Sequence, residues 1–166
     1  YLIEGGADLE KREFGLGRTA LMIACTRRKN ECIKLLLDGG ADINVRGEEG
    51  QPILIDNICM AGGNALELLM EYGADINSYD DYKATVFMRA VQHGSLKIIQ
   101  KVLGYKPTIN RTDARGRGEM FYAVRNENVE IVDKIINLLI ESGIDLYRVD
   151  KEGCNAFMYA AIRNNI

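Results

Sequence analysis

The chain is poor in the residues that metal binding and nucleophilic catalysis draw on most. Its 166 residues include one histidine, His93, and four cysteines, Cys25, Cys32, Cys59 and Cys154, with no Cys-x-x-Cys pair. A structural zinc site needs about four ligands of these types, so neither a metal nor a cofactor is expected. No nucleophile–base arrangement is recognisable, and the chain reads as non-catalytic. A basic surplus is also missing: 21 Lys and Arg stand against 24 Asp and Glu, a net charge of −3. That argues against a general nucleic-acid or anionic-membrane binder. No apolar run approaches the roughly 18 residues of a membrane span, and Tyr1-Leu2-Ile3-Glu4 carries no secretory leader. Unpaired thiols fit a reducing compartment, the cytosol or the nucleus, and Cys32 is expected to serve as a small core hydrophobe.

What the chain has in quantity is repetition. Leu35 to Asn44 reads Leu-Leu-Leu-Asp-Gly-Gly-Ala-Asp-Ile-Asn, and Leu68 to Asn77 reads Leu-Leu-Met-Glu-Tyr-Gly-Ala-Asp-Ile-Asn. Partial copies open the chain, end at Thr108-Ile109-Asn110, and recur from Leu138 to Asp145. Asn44, Asn77 and Asn110 fall at equal intervals. A fixed period of about 33 residues is the signature of a repeat array. In such an array stability is a sum over units and neighbour interfaces rather than the product of one closed core.

Each period holds two different helical patterns. The first is short and apolar, and opens on a residue such as Thr19, Thr85 or Asn155 whose side-chain oxygen can accept an orphan backbone N–H. The second is amphipathic: Cys32, Ile33, Leu36 and Leu37 follow helical spacing, with Glu31, Lys34 and Asp38 outside. Gly40 and Gly73 stop it, as residues that accept a positive φ past a helix end. Polar links carrying Asp and Gly follow, including Asp113-Ala114-Arg115-Gly116 and Asp150-Lys151-Glu152-Gly153, which are turn signals.

A helix, a tight turn, a longer helix and a projecting turn in every period resembles the ankyrin repeat. Gly17, Thr19, Leu21, Ala24, Leu35, Leu36, Leu37, Gly40, Ala41, Asp42 and Asn44 carry the resemblance in one unit. It implies an all-α solenoid of stacked helix–turn–helix units with β-hairpin fingers, in one array over 1–166. That array divides into a partial repeat at 1–14, repeats at 15–46, 47–79, 80–112 and 113–149, and a partial repeat at 150–166. The fourth repeat is four residues longer than the period, about one helical turn, expected in the long helix near Asp133 to Leu138. Both ends look open, which implies a segment of a longer array. Three departures from the family pattern stand out. The family's Thr-Pro-Leu-His box is never whole, Lys83 replaces a finger glycine, and Lys106-Pro107-Thr108 replaces Gly-Ala-Asp. An irregular turn is therefore expected in the third repeat.

The resemblance further implies a non-catalytic interaction module whose fingers and first helices hold a protein or peptide partner, without a membrane and as a monomer. Mapped onto this chain, the candidate partner-binding residues are Arg46, Glu48, Glu49, Tyr79, Asp81, Tyr82, Arg115, Arg117, Arg125 and Lys151. Exposed Tyr and Arg are over-represented as interface anchors, which places Tyr79, Tyr82, Arg115 and Arg117 at the centre of the patch. Asp42 and Asp75 recur once per repeat and are expected to serve the turns structurally. His93 is expected to face solvent between helices. A rival reading makes the chain a regulatory or sensor segment of a larger enzyme or channel. It would bind a small anion or nucleotide through Arg111, Arg115, Arg117 and Arg125, provided those arginines converge. Nucleic-acid binding by the same arginines is the weaker rival, given the overall charge.

Overall fold

The structure, a computed structural model, describes residues 5–47 and 50–162. The chain divides into two compact units, Tyr1–Asp75 and Ile76–Ile166. Among the described residues the regular structure is helical, and no strand forms beyond isolated bridges.

Unit 1 holds α1 (Ala20–Thr26), α2 (Asn30–Asp38), α3 (Ile53–Ala61) and α4 (Leu66–Glu71). Thr19 caps α1 by accepting from the Met22 N–H. Helix α1 packs on α2 and α3, and α3 packs on α4. Helix α3 is apolar almost all round and buries every position in succession from Ile53 to Ile58, as expected for a helix enclosed on several sides. The side of unit 1 formed by Ile23, Cys32, Leu35 and Leu36 differs, because it faces Ala7, Asp8 and Leu9 across open space. It borders an open apolar hollow of about 950 Å³. Cys32 is exposed there, against the expectation of a core residue, whereas Ala65 and Ile98 in the equivalent slot are buried.

Unit 2 holds α5 (Val86–His93), α6 (Leu96–Gly104), α7 (Glu119–Ala123), a 3₁₀ turn at Val129–Ile131, α8 (Val132–Glu141) and α9 (Ala156–Ile162). Thr85 caps α5 and the Asn155 side chain accepts from the Met158 N–H, as their positions implied. Helix α5 packs on α6 and α7, and α7 on α8 and α9. Phe87, Phe121, Ile99 and Leu139 are fully enclosed. The extra turn of the fourth repeat does not sit at Asp133 to Leu138. Helix α8 has 10 residues against 9 in α2 and α6, so the added length lies ahead of it, in the 3₁₀ turn that Asn128 caps.

The irregular turn expected in the third repeat is present, but it lies beyond Lys106: Asn110 takes φ 60, a positive value that its counterparts Asn44 and Asn77 do not take. Lys106 takes φ 53, in the left-handed region where Gly40, Gly73 and Gly143 sit. Its N–H bonds to the Leu103 carbonyl at 2.9 Å, as the Gly40 N–H does to Leu37 at 3.0 Å. A side chain in that conformation costs roughly 1–2 kcal/mol, which the surrounding packing offsets. What the third repeat does lose is the next bond. Ala41, Ala74 and Ile144 each donate back into their helix, and Pro107 has no N–H to give.

Candidate functional site

In unit 2 each finger is built on an aspartate. Asp80 Oδ1 accepts from the N–H groups of Tyr82 and Ala84 at 3.0 and 2.9 Å. Asp113 does the same for Arg115 and Arg117, at 2.8 and 3.0 Å, and Asp150 for Glu152 and Cys154, both at 2.9 Å. This is the local side-chain capping that makes aspartate a turn former. It also explains why Lys83, at φ 59, can stand where Gly50, Gly116 and Gly153 stand elsewhere. The second oxygen of each aspartate is held nine residues later by the following helix. Arg89 holds Asp80 at 2.9 and 2.6 Å, Tyr122 holds Asp113 at 2.8 Å, and Tyr159 holds Asp150 at 3.1 Å. Arg117 adds a further ion pair to Asp113 at 2.6 Å. Burial alone would raise the Asp113 carboxyl, but the bonds from Arg117 and Tyr122 outweigh it and hold the group below the usual aspartate range.

Neighbouring fingers of unit 2 are joined by backbone bonds. Ala114 N–H donates to Tyr82 O at 2.8 Å, and Lys151 N–H to Arg115 O at 2.9 Å. Beneath them Asn77 and Asn110 accept from the N–H groups of Thr108 and Asp145, both at 2.7 Å. Between α5 and α7 lies a cleft of about 70 Å³ lined by Tyr82, Arg89, Gln92, Arg117, Phe121, Tyr122 and Arg125. The Arg89 and Arg117 guanidinium carbons lie 6.0 and 5.8 Å from the Tyr122 ring centroid, within reach of a cation–π attraction of about 0.5–2 kcal/mol. Burial, reinforced by Asp113, pushes the Tyr122 phenol above its ordinary value, so it stays a neutral hydrogen-bond donor.

Unit 1 is built differently. Its finger carries Gly47 where unit 2 has aspartate, closed by Gly47 N–H to Gln51 O at 2.9 Å. The buried carboxylate is instead Asp56, on α3. Burial raises its carboxyl to about 6, against the opposing pull of a Gln51 hydrogen bond and of Arg18. Burial, helped by Asp56, also pushes the Cys25 thiol up to about 12, which makes that thiol inert. Arg18 pairs with Glu13. Ahead of them Phe14 is wholly exposed, with Leu16 half exposed beside it.

The ten anticipated residues fall into distinct settings. Arg46 is in unit 1, exposed, with its carbonyl accepting two bonds of 3.1 Å from Arg12. Glu48 and Glu49 lie outside the described residues. In unit 2, Tyr79 and Tyr82 are 46% and 54% exposed, and Asp81, Arg115 and Lys151 are exposed finger positions. Arg117 differs from these, because its side chain is only 14% exposed and turned back onto Asp113. Arg125 is half buried in the cleft. Of the four arginines considered for anion binding, Arg117 and Arg125 border the cleft, while Arg111 and Arg115 are exposed and do not line it. Arg89 and Tyr122 were not anticipated. The signal that finds them is the nine-residue step from each finger aspartate. His93 is the last residue of α5, one-quarter exposed and 2.9 Å from Glu127, rather than a free turn residue. Asp42 accepts the Asn44 N–H at 2.8 Å, the structural role expected of it.

A family model described as "Ankyrin repeats (3 copies)" matches residues 1–80, 40–113 and 87–166. The human protein "Ankyrin repeat and SOCS box protein 16" is 48% identical over 50 residues. That stretch is 30% of this chain and 11% of the relative, so the chain spans only a small part of the relative's length. Among the described residues no helix is long and apolar enough to cross a membrane. With the aspartate-capped fingers, the paired helices and a family model matching from end to end, the chain belongs to the ankyrin repeat family.

Proposed function

We propose that the chain is a non-catalytic module that binds a protein or peptide on its fingers and first helices, as a monomer in the cytosol or nucleus. We also keep it as a single array, because the repeat register in the sequence runs unbroken past Asp75. The observation that carries the reading is in unit 2. Tyr79, Tyr82 and Arg115 are exposed, yet they stand on backbone fixed by the finger aspartates and by the bonds between fingers. Anchors displayed on pre-ordered backbone lose little conformational freedom on binding, so modest contacts suffice. The anion or nucleotide reading draws less support. Ligand pockets of that kind run to about 300–1,000 Å³, against about 70 Å³ here.

The test compares partner capture by the wild-type chain with capture by Tyr82→Ala and Arg115→Glu, with circular dichroism to show equal folding. Arg117 is unsuitable as a surface probe, because it holds Asp113. A partner lost from both variants is the expected result. A partner retained at full strength by both would move the site off these fingers.

A further inference from the structure

Four fingers of the chain close on the same backbone bond. Gly47, Asp80, Asp113 and Asp150 each donate their N–H to the carbonyl four residues on, that of Gln51, Ala84, Arg117 or Cys154, at 2.8–3.1 Å. In the first finger that slot belongs to Phe14, one period before Gly47. There Glu13 makes the bond instead, to the Arg18 carbonyl five residues on at 2.9 Å. The loop therefore holds one extra residue, and Phe14 is looped out, the way a bulge re-aims a side chain. Gly15 and Gly17 carry the turn at φ 110 and φ 58, conformations that strain a residue with a Cβ. Where Asp80, Asp113 and Asp150 are buried, Phe14 is wholly exposed, with Leu16 half exposed two residues on. The loop is also braced. The Arg12 guanidinium donates to the Gly17 carbonyl at 2.6 Å and to the Arg46 carbonyl at 3.1 Å, and Arg18 pairs with Glu13. One exposed apolar side chain is ordinary; a turn remade and braced to evert one is not.

We propose that Phe14, with Leu16 beside it, is a knob that seats in an apolar pocket on the protein partner. The inference rests on the interaction-module reading above and adds a contact in unit 1 to those in unit 2. A ring at the crest of a short loop is convex, so a concave apolar surface is what takes it out of water. Aromatic side chains on fixed backbone are the anchors that carry a large share of binding energy in protein interfaces. The surroundings favour a protein over a lipid surface. From Asp8 to Arg18 three acids, Asp8, Glu10 and Glu13, match three bases, Lys11, Arg12 and Arg18, so the loop has no net attraction to anionic headgroups. With Glu13 and Arg18 paired to each other, the pocket rim that meets them needs no charge of either sign. The hollow of unit 1 makes a second copy a poor receptor. It is open and about 950 Å³, the scale of a whole ligand site rather than of one ring.

The test replaces Phe14 by the photoreactive p-benzoylphenylalanine in the full chain and irradiates it in cells that express it, with the same probe at Tyr82 in a parallel chain. The cross-linked protein is then purified, and its affinity for each variant is titrated calorimetrically. The probe in place of Phe14 should join one protein at a cluster of apolar residues. Phe14→Ala should weaken binding of that protein about tenfold or more, and Gly15→Ala should do so too although the ring is still present. Phe14→Leu should recover part of the loss. Circular dichroism and exchange of the Glu13 amide should be unchanged in Phe14→Ala, because the ring is wholly exposed. A cross-linked protein that binds Phe14→Ala within about twofold of wild type but is lost from Tyr82→Ala would overturn the knob and leave the module reading standing. Phe14-dependent pelleting with phosphatidylserine vesicles, or a Phe14-dependent dimer in sedimentation equilibrium, would overturn the protein pocket as the occupant. A probe at Phe14 that joins nothing while the probe at Tyr82 joins a protein would overturn the knob alone. No adduct from either probe would overturn the module reading and this inference together.

Discussion

In unit 2 the buried carboxylate of each finger belongs to the finger, and the helix behind supplies Arg89, Tyr122 or Tyr159 to hold it. In unit 1 the polarity is exchanged. Gly47 stands one period before Asp80, and Asp56 one period before Arg89, so the carboxylate has moved to the helix and the finger has lost its acceptor. A repeat array tolerates this because each unit answers mainly to its neighbours. The electrostatic consequences are opposite in sign. Asp113 is held below its ordinary value by donors, whereas Asp56 is raised to about 6 by burial. The same residue type therefore strengthens one unit and strains the other.

The largest effect should come from Asp113→Ala. It strands the N–H groups of Arg115 and Arg117, the Tyr122 hydroxyl and a half-buried guanidinium. Removing one member of such a pair costs about 3–5 kcal/mol, readable in urea unfolding and in amide exchange at Arg115 and Arg117. Gly47→Ala, the equivalent site in unit 1, meets only the flexible Gln51 side chain, at 3.0 Å, and should stay within about 1 kcal/mol. Equal costs at the two sites would remove the distinction between the units.

Next in size is Asp56→Asn. The rise from 3.8 to about 6, at about 1.4 kcal/mol per pH unit, allows a gain of up to about 3 kcal/mol at pH 7. A raised carboxyl contributes stability that is fully present below its unfolded value and lost as pH rises through the folded one. For Asp56 that window lies between 3.8 and about 6. A depressed carboxyl behaves in reverse, so the Asp113 contribution persists down to its unfolded value and is lost only as pH falls through the lower folded one. Between pH 6 and 4, exchange protection around α3 should therefore rise while the Arg115 and Arg117 amides hold steady. A fall in protection around α3 over that range would contradict the assignment to Asp56.

Rebuilding the unit 2 pattern in unit 1 sharpens the contrast further. Gly47→Asp alone sets a second carboxylate near Asp56 and should destabilise. Combined with Asp56→Arg it should recover a coupling of about 2 kcal/mol in a double-mutant cycle. A coupling of zero would mean that the two positions do not meet as their counterparts do. The smallest effect is expected from Glu119→Gln in unit 2. Glu119 is 1% exposed, its Oε1 has no hydrogen-bond partner among the described residues, and burial raises its carboxyl. The amide should add about 1 kcal/mol at pH 7, and the gain should fade as the pH is lowered and the native carboxyl takes up its proton. A gain that persisted undiminished at low pH would point to packing rather than charge.

Much of the fold was legible because it is local. Thr19, Thr85 and Asn155 cap helices where they stand, and Gly40, Gly73 and Gly143 take the left-handed turns their type allows. Lys83 and Lys106 take the backbone that glycine takes in other repeats, so the irregularity expected of the third repeat falls instead at Pro107 and Asn110. Cys32 misled because burial depends on what packs outside its helix, not on its place within it. The cleft was half legible. Arg117 and Arg125 stood out as arginines near a finger, but the partners that orient them did not. The step from Asp80 to Arg89, Asp113 to Tyr122 and Asp150 to Tyr159 is constant, yet its far end changes residue type.

The sequence by itself determined the repeat, its period, the helix caps and the family, because these depend on residues within one turn or one period of each other. Only the tertiary structure decided that Arg117 is a half-buried brace for Asp113. It alone joined Arg89 and Tyr122 to that brace, and it alone placed the added turn ahead of α8. Those outcomes follow from which side chains desolvate one another across neighbouring repeats, and strength in a charged pair depends on that shared burial far more than on the residues being charged.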